Sequence, residues 1–592
     1  MNPAAASIRQ ATLQDREALE RLIAGSARAL ASGAYTPEQI EAALGSAFGV
    51  DTQLIRDGTY FVAQVQGCIV GCGGWSRRRT LFGADAQTGS HAAYERVQIG
   101  DLVKVPTSST TSFGFVDSLA LKDRSGGGRA VAVAEVELLG EMAARTDGAA
   151  PSFARGISVY PVLGAPVYAA SPADLENIYS KPNTPSLPIG VLHQDQSKTA
   201  YLISQEFLCK HSAILGTTGS GKSCALTVVL RSLLKFHPNG HVVVLDPHGE
   251  YSHAFGNMAE CINTHNIELP YWLMSAEEIT EVLCSREPIA RSREANILKD
   301  AIIAAKQSFL GEGGEETFVT VDTPTPYRMP AVVKHISDAM GRLDKPDNTL
   351  PFLRLMRTIE DLRQDLRYAF MFPGLTVRDN LSEILSRILR IPVNGKPVTI
   401  LDISSVPSEV VNVVVSLLCR LIFDFALWSE RQKSVPILLV CDEAHRYVPH
   451  DVSLGFEPTR RAISRIAKEG RKYGVSLCLV TQRPSEISEA ILSQCSTVFA
   501  MRMTNEKDQN LVKRTLPEAA AGLLSTLPTL RQQEAIAVGE GVPHPMRIRF
   551  NHLEHALRPQ GGSTNFPKAW ETDHEGVGFL VETVERWRWH SH

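Results

Sequence analysis

Long uniformly apolar runs are missing from this sequence. The longest candidate, Val410 to Trp428, is interrupted by Asn412, Arg420 and Asp424, so it reads as a buried helix rather than a membrane span. The opening residues, MNPAAASIRQATLQD, hold no apolar stretch of the kind a secretory signal needs. Cysteine is sparse, with 10 in 592 residues, and no CxxC pair or Cys/His spacing suits a zinc site. Several cysteines lie in apolar runs such as LLVCDE and LCLVTQ, so buried, reduced thiols in a cytoplasmic protein are expected. Neither sign of charge dominates: 60 Lys and Arg stand against 64 Asp and Glu, a net charge of -4. A surface that attracts polyanions everywhere is thereby excluded, and any such contact falls to a local basic lining. Internal repeats and low-complexity tracts are absent as well.

What is present is an ordinary globular composition, 44% apolar and 21% charged. The length corresponds to roughly four domains. Residues 1–90 predict a strand, two helices (DREALERLIAGSARAL and TPEQIEAALGSAF) and a hairpin through TYFVAQVQGCIVGCGGW, followed by a linker. From about 94 to 170, short apolar runs separated by Gly, Pro and Ser predict a small β-barrel. A proline-rich connector follows. From about Gly190, strand-like runs alternate with helical stretches, the sign of a parallel α/β sheet. That core is expected over 171–275 and 391–550, interrupted by a helical insertion over 276–390. Residues 551–592 form a loop-rich tail ending in a short helix, VGFLVETVERWRW.

Five motifs carry chemistry. GTTGSGKS, residues 216–223, lies between a strand-like HSAIL and a helix-like CALTVVLRSLLKF. This is the context of a phosphate-binding P-loop. Gly216, Gly219 and Gly221 let backbone N–H groups turn inward; Thr217, Thr218, Ser220 and Cys224 complete the cradle. Lys222 reaches the β- and γ-phosphates of ATP, and Ser223 supplies an oxygen to Mg²⁺. PILLVCDEAH places Asp442 and Glu443 at a strand end, the first for the Mg²⁺ shell, the second to orient and deprotonate water. VVVLDPHGEY ends another strand in Asp246 with Glu250 close behind, both candidates for the metal shell. LCLVTQRPSEI brings Gln482 to a strand end, where its amide can sense the γ-phosphate or the attacking water. In TRRAISRIAKEGRKYG, Arg461, Arg465, Lys468 and Lys472 share one helical face, and Arg471 lies near the helix end. Either Arg471 or Arg465 can serve as an arginine finger toward a neighbouring subunit, and the other cations can line a DNA channel.

Taken together, IGVLHQDQSKTAYL, HSAILGTTGSGKS, LDPHGEY, LVCDEAHRYVP, RIAKEGRKYGVSLCLVTQRPSEI, ILSQCSTVFAMRMTN and QEAIAVGEGVPHPMRIRF resemble the HerA branch of the HerA/FtsK superfamily, in the family's order. The resemblance implies a RecA-like P-loop NTPase core behind a β-barrel collar. It implies a homo-oligomer, a hexameric ring threaded by double-stranded DNA. Lys222, Asp246, Glu443, Gln482 and Arg471 match the family's positions for phosphate binding, metal shell, catalysis, sensing and trans activation. A nuclease or phage-defence effector partner is implied, and no membrane. A secretion or conjugation ATPase that moves protein shares this core and is the alternative reading. Separately, IRQATLQDREALERLI and YFVAQVQGCIVGCGGWSRRRTLFG resemble the front half of a GNAT acetyltransferase. The nearest match to its acetyl-CoA loop, Arg124 to Arg129, lies among the expected barrel strands. Residues 1–90 therefore read as a partial GNAT-like α+β appendage for docking or specificity.

Overall fold

The computed structural model describes residues 7–31, 50, 55–56, 60–65, 68–74, 100–122, 131–143, 153–162, 164–311, 318–341, 346–372, 377–406, 408–451, 453, 455–516, 521–560, 570–571 and 578–590. The chain divides into two units, Met1–Gln98 and Ile99–His592. In the first, β1 (Ser7–Gln10), β2 (Tyr60–Val65) and β3 (Cys68–Gly74) form an antiparallel sheet in the order β1-β2-β3. Helix α1 (Arg16–Ala31) contributes Leu19 to a small core with Ala11, Ile55, Tyr60 and Val62. The second helix expected here, and the Arg124–Arg129 loop, lie outside the described residues.

The second unit begins with β4 (Leu102–Pro106), β5 (Thr110–Lys122), β6 (Val131–Ala143), β7 (Phe153–Arg155) and β8 (Tyr168–Ala169). They pair antiparallel in the order β7-β6-β5-β4-β8. Among the described residues no ladder joins β7 to β8, so the strands expected to make a barrel are present as a sheet. The connector is not bare loop. Ser171 caps α2 (Pro172–Ile178), with Pro172 in the first turn and Asp174 returning to the Ser171 N–H.

An 11-stranded sheet forms the core, in the order β10-β9-β19-β18-β17-β11-β16-β15-β12-β14-β13. Its strands are β9 (Ser186–Leu192), β10 (Thr199–Ile203), β11 (His211–Leu215), β12 (His241–Asp246), β13 (Ala259–Ile262), β14 (Val398–Asp402), β15 (Ile437–Cys441), β16 (Val475–Thr481), β17 (Cys495–Met501), β18 (Glu534–Gly539) and β19 (Met546–Phe550). From β17 through β13 every ladder is parallel. The expectation of a parallel sheet from Gly190 onward needs correction at the other flank. There β18, β19, β9 and β10 run antiparallel, and β9 starts at Ser186. Short hairpin links, such as the Asp195 turn between β9 and β10, leave no room for the crossover that parallel strands require.

Strands β11, β15 and β16 are buried along their whole length, as their unbroken apolar runs demand of a sheet covered on both faces. Helix α3 (Lys222–Phe236) follows β11 and packs Leu226, Val229, Leu230 and Leu233 into the core. Between β13 and β14 come α4 (Ala276–Leu283), α5 (Pro288–Leu310), α6 (Met329–Met340), α7 (Pro346–Gln364) and α8 (Leu381–Leu389). Next are α9 (Ser408–Trp428), α10 (Glu457–Tyr473), α11 (Glu506–Thr515) and, in the tail, α12 (Gly578–His590). Within α9, Val410–Trp428 is long and apolar enough to cross a membrane, and 67% of its apolar window is buried inside the fold. A carboxylate fixes the insertion to α9. Glu278 of α4, 1% exposed, accepts from Ser416 Oγ at 2.7 Å and pairs with Arg420 at 3.0 Å. The described cysteines are all free. Cys284, Cys419, Cys441, Cys478 and Cys495 are buried as expected, whereas Cys209 and Cys261 are exposed.

Candidate active site

Parallel strands deliver their carboxyl ends to one edge of a sheet, and polar loops gather there. At this edge β11 runs into Gly216, β12 into Asp246, β15 into Asp442 and β16 into Gln482. The loop after β11 is shaped by its glycines. A Cβ on Gly216 would meet Met501 Cβ and Ser220 Oγ at 2.8 Å. Gly219 and Gly221 hold φ of 74° and 101°, a region glycine enters without the usual steric cost. Thr217 is pinned through its N–H and hydroxyl to the Arg502 carbonyl, at 2.9 and 3.0 Å. On the far side, Gln533 N–H donates to the Ser220 carbonyl at 3.2 Å.

Lys222 begins α3 and is 8% exposed, yet its Nζ bonds only the Thr217 carbonyl, at 3.2 Å. Burial lowers its pKa, opposed by the charges of Glu443, Asp442 and Glu250. Ser223 Oγ donates to Glu250 Oε2 at 3.0 Å. Gln482 bridges two elements: its Oε1 accepts from Thr218 Oγ1, and its Nε2 donates to Glu443 Oε1 at 2.8 Å. Glu443 adopts left-handed φ/ψ of 48° and 46°, which costs a side-chain-bearing residue about 1–2 kcal/mol. His445 Nδ1 lies 3.3 Å from its Oε2 and 3.1 Å from Thr481 Oγ1. Burial pushes the Glu443 pKa up, but His445, Lys222 and His248 outweigh it and leave the group a carboxylate with a lowered pKa.

Asp442 is 4% exposed and its pKa is raised to about 7, first by burial and then by Glu443. Its Oδ1 takes the Glu443 N–H and its Oδ2 the Tyr251 hydroxyl, at 2.9 and 3.1 Å. Asp246 is fully buried, and both of its oxygens serve the backbone, accepting from His248 N–H at 3.2 Å and Tyr251 N–H at 3.0 Å. Its geometry is that of a loop anchor beside the metal-shell candidates. Cys224 lines a small cavity with Gln533, Phe550 and Arg558, and burial raises its thiol pKa. Tyr251 and His445 were overlooked as site residues, although both lie inside quoted motifs, at the ends of HGEY and DEAH.

The two arginines expected as fingers stand apart from this cluster. Arg471 is exposed near the start of β16, close enough to His211, at the start of β11, for its charge to join burial in lowering that imidazole's pKa. The length of β11 separates it from the cradle, about 16 Å. Arg465 stacks on Phe423 at 4.3 Å and faces Asp424 at 3.6 Å. Within the same chain neither reaches the phosphate cradle. Of the basic stripe, Arg461 is paired with Glu457 and Glu277, whereas Lys468, Arg471 and Lys472 make no ion pair among the described residues.

The site fits a polyphosphate. A buried lysine whose Nζ bonds a carbonyl and a buried Ser220 hydroxyl with no partner among the described residues surround positive-φ glycines. Ser223, Glu250 and Asp442 present the hard oxygens that Mg²⁺ uses beside phosphates.

Residues 187–422 match the family described as the central domain of the helicase HerA. Over 437 residues the chain is 25% identical to the DNA double-strand break repair helicase HerA of Pyrococcus furiosus, covering 68% of this chain and 75% of that one. The same-named helicase of Saccharolobus solfataricus is 28% identical, covering 67% and 74%. A probable helicase of Methanocaldococcus jannaschii is 24% identical, covering 81% and 91%. Among solved structures, VirB4 of Thermoanaerobacter pseudethanolicus matches with a TM-score of 0.44 at 15% identity, covering 64% of this chain and 99% of that one. The plasmid coupling protein TrwB in complex with ADP and Mg²⁺ matches with a TM-score of 0.39 at 11% identity, covering 60% and 89%.

Proposed function

We propose that the chain, whose residues 187–422 match the central domain of the helicase HerA, is an ATP-driven motor that moves along double-stranded DNA as a ring of identical subunits in the cytoplasm. The single observation that carries this reading is the junction of the P-loop with the acids of β15 through Gln482. In it, Lys222 and the inward N–H groups of 216–223 neutralise the β- and γ-phosphates. Ser223, Glu250 and Asp442 would hold Mg²⁺, which would offset charge on the phosphate oxygens. Glu443 accepts a proton from the attacking water, and its lowered pKa keeps it ionised, and so free to accept, at neutral pH. Gln482 moves its amide from Glu443 to the γ-phosphate when nucleotide enters.

Arg471 acts in trans. Its exposure and lack of an ion pair leave it able to enter a neighbour's site, and Arg465, stacked and paired, is the weaker candidate. Residues 94–170 form a collar on one face of the ring, where a nuclease or defence effector docks. The unit 1–90 is an appendage for docking or specificity. Steady-state ATP hydrolysis with and without linear duplex, beside particle images with nucleotide, tests the reading. Duplex should raise the rate several-fold and the images should show closed rings. A monomer whose rate ignores duplex would refute it.

A further inference from the structure

The loops leaving β15, β16 and β17 meet at the sheet edge that carries Gln482. There a cleft of about 600 Å³ is lined by His450, Ser485, Lys507, Asn510, Lys513 and Arg514, together with Glu489. Three cations share it with one carboxylate, in a chain whose net charge is -4. Glu489 lies 3.4 Å from Arg514, but both are half-exposed or more, so water screens the pair to little effect. Lys507 and Lys513 are exposed and make no ion pair among the described residues. The remaining polar groups are an amide, a hydroxyl and an imidazole, all able to donate. A lining of donors without base-reading geometry suits phosphodiester oxygens.

A second observation ties this cleft to hydrolysis. Asp508 of α11, 5% exposed, accepts the Ser485 N–H at 2.9 Å. Ser485 lies in the turn Pro484–Glu486, which starts two residues after Gln482 and is braced by Arg483 to Glu486 at 2.8 Å. The helix carrying the cations is therefore bonded to the segment carrying the nucleotide sensor. An acidic protein partner would satisfy the charge equally well, but it would have no need of that link.

We infer that this cleft holds backbone phosphates of duplex DNA and couples their presence to the active site through the Ser485–Asp508 bond. The inference rests on the DNA-motor reading and adds the residues that grip the track. Its test is the full-length double variant Lys507→Ala/Lys513→Ala, with duplex binding followed by fluorescence anisotropy across a salt series and DNA-free ATP hydrolysis as the folding control. Duplex affinity should fall about tenfold or more, and the slope of log affinity against log salt should flatten by about two. Stimulation of hydrolysis by DNA should drop with it, while the DNA-free rate stays unchanged. Wild-type affinity and slope in the variant would overturn the cleft assignment and leave the motor reading standing. Wild-type protein that binds no duplex would overturn both. Unchanged duplex binding with lost binding of poly-glutamate would assign the cleft to an acidic protein and overturn the inference.

Discussion

The Gln482 amide nitrogen donates to Oε1 of Glu443 at 2.8 Å, while its oxygen takes the Thr218 hydroxyl of the P-loop. One side chain thus joins the P-loop to Glu443, the proposed base. Replacing it with alanine frees Glu443 without touching Lys222. Gln482→Ala should bind ATP within about fivefold of wild type, since one neutral hydrogen bond contributes about 1 kcal/mol or less. Its kcat should fall at least about tenfold, and stimulation by DNA should vanish. Isothermal titration and steady-state kinetics separate the two effects.

Asp442 makes the nucleotide-free protein sensitive to alkali. Its folded pKa, about 7, exceeds the ordinary value of 3.8 because burial and Glu443 penalise the charge. The folded state then holds the proton more tightly than the unfolded chain. Stability from this group is complete below about pH 4 and is lost as pH rises through 7. Asp442→Asn removes the titration, so its thermal midpoint should exceed that of wild type by several degrees at pH 8, with the gap narrowing as pH falls toward about 5 and closing only near pH 4. ATP hydrolysis should be lost in the same variant.

The site was legible because its groups sit at strand ends, and strand ends are marked by a switch from apolar to polar residues. GTTGSGKS, LDPHGEY, LVCDEAH and LVTQ each show that switch, and the sheet brings Lys222, Glu443 and Gln482 into one network. The antiparallel flank was not legible in β18, which is buried throughout like the parallel strands, whereas MRIRF of β19 carries the alternation of a strand with one solvated face. Tyr251 was hidden for another reason: a tyrosine after a polar turn carries no sign that its hydroxyl will face Asp442. Asp246 was legible as a strand-end acid but not as the anchor of a turn, since a buried carboxylate there serves backbone N–H groups as readily as a metal.

Glu278 and Arg420 make the joint between insertion and core a strong point of stability. Glu278→Ala removes the nearer of the two carboxylates of Arg420, leaving Asp424 at 3.4 Å, and should cost about 3 kcal/mol. Glu278→Leu/Arg420→Met should cost clearly less than the sum of its single variants. Denaturant titration of the four proteins gives the coupling.

His544 supplies an opposite pH effect. It is buried between Phe153 and Tyr179, neither ring nitrogen has a partner among the described residues, and its pKa is pushed down to about 3 by burial and then by Arg155. The unfolded chain binds the proton more readily, so stability is lost as pH falls below about 6.5. His544→Phe should flatten that acid limb while leaving the midpoint at pH 8 within a few degrees of wild type, as read by thermal melts from pH 5 to 8.

Movement along duplex DNA is read most directly by displacement of a third strand bound to one end of a linear duplex. With ATP, wild-type protein should strip the third strand at a rate that follows hydrolysis. Lys222→Ala and Glu443→Gln should leave it bound, as should wild type with a non-hydrolysable ATP analogue. A protein that hydrolyses ATP at full rate on this duplex and never displaces the third strand would contradict a motor that travels on DNA.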